Sequence, residues 1–239
     1  MRHVREVLAR DGSLLRAFPV ENGLWRLAPP AQGVDPGFLR MLVGWEDRRF
    51  ADHDGVDARA VARAGWQALT HGRIVSGAST LSMQTARLLE RSPPGDWRAK
   101  LRQARVALAL ERRLGKERVL DLYLRLAPYG GNTEGVRAAS LMWFGKEPRR
   151  LTPAESALLV ALPQSPETRR PDLPQARAAA RAARDRVIDR ALTLGIIDAE
   201  AAGTARATPL PDRRRPFPAH AALLADRLRR ENPGAPRIE

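Results

Sequence analysis

The spacing of apolar residues along this chain changes near Pro36. Before it, two short apolar runs, VREVLAR and SLLRAF, flank Asp11-Gly12, a pair suited to a hairpin turn. A short β element over residues 1–26 is therefore expected. Pro29, Pro30 and Pro36 mark an extended lead-in. Beyond Pro36 the spacing is helical. Asp57 is placed to cap a helix carrying Ala60, Val61, Ala64 and Ala68 on one face. A helix over 97–113 is predicted to turn Leu101, Ala104, Ala107 and Leu108 inward. Another over 116–126 carries Val119, Leu120, Tyr123 and Leu124. Thr152-Pro153-Ala154-Glu155 forms a capping box with proline at the first helical position, opening a buried helix that Pro163 ends. Residues 175–194 are rich in Ala and Arg and amphipathic, with Gly195 as C-cap. From Thr208 the chain reads as a linker, PLPDRRRPFP, and then a short basic helix ending near Pro233. The fold class is mainly α, without internal repeats.

Composition narrows the partners. The 239 residues suffice for one sizeable domain with its own core. Cysteine is absent, which excludes a disulfide framework and thiolate metal sites and fits any redox compartment. The net charge of +14, from 41 basic and 27 acidic residues, attracts polyanions: nucleic acid, anionic lipid or pyrophosphate. Few aromatic platforms and cations spread along the chain argue against nucleic acid. Nearly all the basic residues are arginine; the three lysines are Lys100, Lys116 and Lys146. Where a chain otherwise uses Arg, a retained Lys points either to a need for a compact point charge or to coincidence. No run approaches the roughly 20 apolar residues of a membrane span, and the polar opening RHVREVLARDG does not suit a signal peptide.

The candidate chemistry lies in EDRRFADHDGVD (46–57) and SGASTLSMQTARLL (76–89). An acid pair, a Gly-Ser-Thr turn and a downstream helix rich in Lys and Arg together describe a carboxylate base beside a cationic, hydroxyl-lined groove. Such a groove suits a sugar joined to a phosphate leaving group.

Five motifs in order carry a family resemblance: EDRRFADHDG (46–55), GASTLSMQ (77–84), KLRQARVALALE (100–111), KERVLDLYL (116–124) and GVRAASLMWFGK (135–146). From about Asp11 to about Leu194 the chain resembles glycosyltransferase family 51, the peptidoglycan glycosyltransferase (transglycosylase) domain of class A penicillin-binding proteins, with the type 1C subgroup nearest. The resemblance implies a lysozyme-like large lobe and a smaller membrane-apposed jaw lobe. It divides the chain into a β lead-in (1–26), a glycosyltransferase domain (27–200) and a linker towards a C-terminal region (201–239). It implies an enzyme that polymerises lipid II into β-1,4-linked glycan with release of undecaprenyl pyrophosphate. The implied place is the periplasmic face of the bacterial inner membrane. The implied partners are lipid II, the growing lipid-linked glycan, the membrane surface and moenomycin-type inhibitors. Relatives of this kind carry a membrane anchor and a transpeptidase domain, so an excised or truncated transferase domain is expected. The alternatives are a lysozyme-like enzyme that cleaves peptidoglycan and a scaffold that binds lipid-linked precursor without turnover.

Residue by residue, Glu46 matches the family's base, with Leu42, Val43, Trp45 and Phe50 as its apolar surroundings. Asp47 is expected to organise the loop and His53 to be a hydrogen-bonded structural residue; with Phe50 they line the binding region. Ser79 and Thr80 offer hydroxyls to the ligand, or Thr80 and its neighbours cap the helix running to Leu89, or both. Gln84 matches a sugar-contacting residue. Arg87 and Lys100 match pyrophosphate-binding positions, or else form a solvated basic face. Lys116 binds substrate or lies exposed near a helix start. Lys146 binds phosphate or caps a turn. Position 103, where the family usually has a second catalytic Glu, is Gln103, which hydrogen-bonds but does not ionise. No metal site or cofactor is expected; a divalent ion such as Mg is the alternative that Gln103 weakens. Trp66, Leu69, Ile74 and Val75 form either part of the jaw or ordinary core.

Overall fold

The computed structural model describes residues 5–20, 23–28, 33–71, 79–90, 97–233, 235 and 237–238. In chain order its elements are β1 (Arg5–Leu8), β2 (Leu14–Phe18), β3 (Trp25–Arg26), α1 (Pro36–Glu46), α2 (Ala58–His71), α3 (Leu81–Glu90), α4 (Trp97–Leu126), β4 (Thr133–Glu134), α5 (Val136–Phe144), α6 (Pro153–Ala161), α7 (Arg177–Thr193), α8 (Ala199–Ala207), α9 (Ala222–Glu231) and β5 (Arg237–Ile238). The fold is mainly helical, as expected. It divides into two compact units: residues 42–126, and residues 1–41 together with 127–239.

In the discontinuous unit, β1 and β2 form the expected hairpin, pairing Glu6 with Ala17 and Val7 with Arg16. Asp11 sets the turn by accepting hydrogen bonds from the Ser13 amide at 2.9 Å and hydroxyl at 2.7 Å. β5 joins β1 in parallel, giving the order β2-β1-β5, and β3 pairs in parallel with β4. Leu8, Leu14, Ala17 and Leu27 meet Ala138 and Leu141 of α5 in one apolar cluster. The capping box at Thr152 and Glu155 starts α6 as the sequence predicts, and Ala157 to Ala161 are fully enclosed. α7 stops at Thr193, followed by Gly195 at φ +66°.

This unit also buries charge in pairs. The Arg137 side chain, 3% exposed, bridges Glu6 at 2.7 Å and Glu147 at 2.8 Å. Burial alone would lower its pKa; Glu147 and Glu6 outweigh burial and raise it. The buried Arg184 guanidinium donates to the carbonyls of Arg206 and Thr208 and so holds the C-terminal end of α8. The segment after Thr208 is irregular up to α9, as its composition predicts. It is tied down by Arg177, which donates to Leu210 O and Pro211 O, and by the Arg215 amide on Met142 O.

The 42–126 unit is a helical assembly around α3 and α4. Asp57 caps α2 as predicted: Oδ1 accepts the amides of Arg59 at 3.0 Å and Ala60 at 3.1 Å, and Arg49 lies 3.2 Å away. Burial would push the Asp57 carboxyl up; the Ala60 amide, the Arg49 guanidinium and the Arg59 amide together hold it below the ordinary carboxylate range. α4 covers both helices predicted there, and they meet at Gly115, whose φ of 77° and ψ of 166° are not helical.

Two inward faces differ from the sequence reading. Leu101 is 56% exposed, and Ala104 and Leu108 are only half-buried. The buried positions of the first arm of α4 are Gln103, Ala107 and Glu111, spaced i, i+4, i+8. Apolar count misplaced the face because the neighbouring helix, α3, turns a hydroxyl towards it, and a carboxylate can be buried where a donor meets it. On α2, Ala60 and Ala64 are buried but Val61 is exposed. Trp66 is 68% exposed, so it is surface and not core. Ile74 and Val75 lie outside the described residues, as do Gly77 and Ala78.

Candidate functional site

The acid pair stands at the end of α1. Glu46 is its last residue and half-buried; its Oε2 accepts the Gln84 side-chain amide from α3 at 2.7 Å. These two motifs, 38 residues apart, therefore meet through the carboxylate and amide that the resemblance pairs with base and sugar contact.

Asp47 turns the other way and is buried. Its carboxylate receives the Leu81 amide at 3.0 Å and the His53 ring at 3.0 and 3.1 Å. The Gly55 amide donates to His53 Nδ1 at 3.2 Å, so the ring proton sits on Nε2 and points at Asp47. The N-terminus of α3 is thus occupied by the protein's own anion. Thr80 closes the same end: its hydroxyl donates to Gly55 O at 2.6 Å and accepts the Met83 amide at 3.1 Å. Of the two roles open for Thr80, capping is the one the structure displays. Gly55 has φ +100°, and a Cβ there would stand 2.9 Å from the Ala107 carbonyl, so the loop approaches α4 where only glycine fits.

The cations fall into two classes. Arg87 is half-buried and Lys100 exposed, and neither has a carboxylate partner among the described residues. Arg87 follows Gln84 by three residues on α3, one turn from the side chain that holds Glu46. α3 and α4 run antiparallel, since Ser82 bonds Glu111 at one end and Arg102 bonds Glu90 at the other. Lys116, by contrast, is paired with Glu111 at 2.6 Å, donates to His53 O and lies 4.8 Å from the Phe50 ring centre. Lys146 belongs to the other unit and is paired with Glu155 at 2.7 Å.

Gln103 is buried on the α4 face towards α3, two turns from Glu111. Ser79 is half-buried at the entry to α3. Phe50 is buried beneath Lys116. Two residues of this region, Ser82 and Glu111, had no role in the sequence reading. The i+8 spacing from Gln103 to Glu111 was the available signal. Among the described residues no three metal-ligating side chains gather, and no helix is long and apolar enough to cross a membrane.

Several known proteins are similar to this chain. A family model described as Transglycosylase matches residues 11–192. Penicillin-binding protein 1C of Escherichia coli K12 is 43% identical over 206 residues, which are 86% of this chain and 26% of that protein. Penicillin-binding protein 1A of Pseudomonas aeruginosa is 32% identical over 194 residues, 81% of this chain and 23% of that protein. A crystal structure of penicillin-binding protein 1A from Haemophilus influenzae aligns over 97% of this chain and 24% of its own, at 18% identity and a TM-score of 0.49. The chain therefore spans about a quarter of the length of the curated relatives it matches.

Proposed function

The chain belongs to the transglycosylase family, and from that membership we propose that it is a peptidoglycan glycosyltransferase that polymerises lipid II. The observation that carries the reading is the Glu46–Gln84 contact at 2.7 Å, with Arg87 one turn further along the same helix. It brings together a base, a neutral amide able to orient a sugar or the base, and a cation without a carboxylate partner among the described residues.

The proposed reaction uses these groups as follows. The acceptor's 4-hydroxyl attacks the anomeric carbon of the donor, and its proton passes to Glu46. The bond from that carbon to the pyrophosphate oxygen breaks, and undecaprenyl pyrophosphate leaves with the bonding electrons. Attack from the opposite face inverts the centre to a β-1,4 linkage. General-base assistance contributes about 10²–10⁴-fold. Arg87 and Lys100 offset the charge developing on the leaving group, where charge-assisted hydrogen bonds are strongest. Gln103 supplies an amide where the family usually has a Glu, so turnover without strong dependence on a divalent ion forms part of the proposal. The reaction is assigned to the periplasmic face of the inner membrane, with moenomycin-type molecules competing for the pyrophosphate site.

Labelled lipid II in detergent, with purified protein, tests the reading. Polymer that moenomycin abolishes and EDTA does not is the expected product. Fragments released from preformed glycan, or binding of lipid II without polymer, would overturn it in favour of a hydrolase or a scaffold.

A further inference from the structure

We propose that Glu111 and Lys116 are positioning residues that hold the Glu46 loop in its working geometry, and that Lys116 does not touch substrate. The proposal rests on the reading of Glu46 as base.

A closed circuit of hydrogen bonds runs through the 42–126 unit. It leaves α3 at the Leu81 amide, which binds Asp47. Asp47 holds the His53 ring, the His53 carbonyl accepts Lys116, and Lys116 pairs with Glu111. Glu111 accepts the hydroxyl of Ser82, the residue next to Leu81. The circuit thus ties three separate stretches of the 42–126 unit: the loop that begins at Glu46, the start of α3 and the middle of α4. Every member but Lys116 is buried, and the Lys116 ammonium already has a carboxylate, a carbonyl and the Phe50 ring around it. An ammonium has three donor hydrogens, so little is left for a phosphate. Arg87 and Lys100 carry no such partners among the described residues.

The backbone is built for this contact. Glu111 and Lys116 are five residues apart, and on an unbroken helix they would not face each other, because neighbours on one face lie three or four apart. Gly115 breaks the helix between them, at φ 77° and ψ 166°, a conformation essentially restricted to glycine. A Cβ at Gly115 would meet nothing within 4 Å, so Gly115→Ala strains the backbone without crowding a neighbour. It disturbs the Glu111–Lys116 pair while leaving every charge in place.

The test uses Glu111→Gln, Lys116→Met, the double variant and Gly115→Ala in the full chain. One arm measures hydrogen exchange of the amides of residues 46–57, which needs no turnover. The other measures kcat and KM with lipid II in detergent. Each single variant should speed exchange in that loop by about tenfold or more. Each should lower kcat by roughly 10–100-fold with KM within about twofold, because misplacing a reacting group costs rate rather than affinity. The double variant should be no worse than Lys116→Met, and Lys116→Arg should recover part of kcat. A raised KM with kcat intact in Lys116→Met, and loop exchange unchanged, would overturn the proposal and make Lys116 a substrate ligand. If Lys116→Met fails to fold, Gly115→Ala decides by the same two measurements. A wild-type protein inert towards lipid II would instead sink the transferase reading, and the exchange arm would still show whether the circuit holds the loop.

Discussion

The two units differ in what their central helices bury. In residues 42–126, polar side chains are drawn inside: Asp47, His53, Thr80, Ser82, Gln103 and Glu111 are buried. Beside buried Leu81, Val119 and Tyr123, several large apolar side chains are left outside: Trp66, Trp97, Leu101 and Leu114 are exposed. In the other unit, α5 and α6 bury mainly apolar residues, with Arg137, Ser140 and Ser156 among them, and the buried charges Glu6, Arg26, Arg137 and Arg184 each have partners. The difference teaches where each unit gains its order. An apolar core tolerates changes of shape so long as volume is kept. A buried polar network is specific in direction, and removing one member strands the others. A site that must hold one carboxylate in one orientation suits the second kind of interior.

Substitutions can break this contrast. The largest effect expected is on rate: Glu46→Gln should lower polymerisation by about 10²–10⁴-fold. Its thermal midpoint should stay within about a degree of the parent, since the amide keeps the contact to Gln84 or its equivalent. A rate above half of the parent's would remove Glu46 from the role of base. Next in size is Arg137→Met, which leaves half-buried Glu147 without its guanidinium and buried Glu6 with Arg237 alone. Chemical denaturation should show a loss of about 3–5 kcal/mol, the usual cost of breaking a buried pair. A loss below about 1 kcal/mol would show that the pairing there is dispensable.

A smaller effect concerns acid. The Asp57 pKa is depressed in the folded protein, so its stabilising contribution is complete above the ordinary carboxylate value. It is lost as pH falls through the lowered folded value. Asp57→Asn should therefore be less stable than the parent at neutral pH, and the gap should narrow below about pH 4. A gap that stays constant down to pH 2 would argue against an ionised cap. The smallest effect belongs to the exposed apolar residues. Trp66→Ser and Leu101→Ser should change stability by no more than about 0.5 kcal/mol. They should weaken flotation with anionic vesicles, because exposed apolar side chains on a cationic protein favour a membrane interface. Unchanged flotation in both would remove these residues from any such surface.

How much of this was legible in the sequence depends on the range of the signal. Local signals read correctly. Asp57 as a cap, the Thr152 capping box, the Asp11-Gly12 turn and the break before Lys116 each depend on a few adjacent residues, and each stands where the chain predicts it. Faces read less well, because a face is defined by what lies opposite. Leu101 looked like core only on the assumption that the neighbour of α4 was apolar. The β1–β5 pairing joins residues more than 230 positions apart through a strand of two residues, too short to show a pattern. In the site, the motifs name segments that the structure brings together at Glu46 and Gln84, but not how their cations are partnered. Lys100 and Lys116 look alike as letters. They differ in the structure because Gly115 turns Lys116 back onto Glu111, whereas Lys100 lies exposed on the first arm of α4.

The division between the units can be tested in one plot of polymerisation rate against unfolding free energy. The variants are Glu46→Gln and Gln84→Ala from the 42–126 unit, and Arg137→Met and Leu158→Ala from the other, assayed well below their melting temperatures. The account predicts two separate groups. The first loses rate by about tenfold or more and keeps its stability. The second loses about 2–5 kcal/mol and keeps its rate per folded molecule. A single line, along which rate falls in proportion to stability for all four variants, would contradict it.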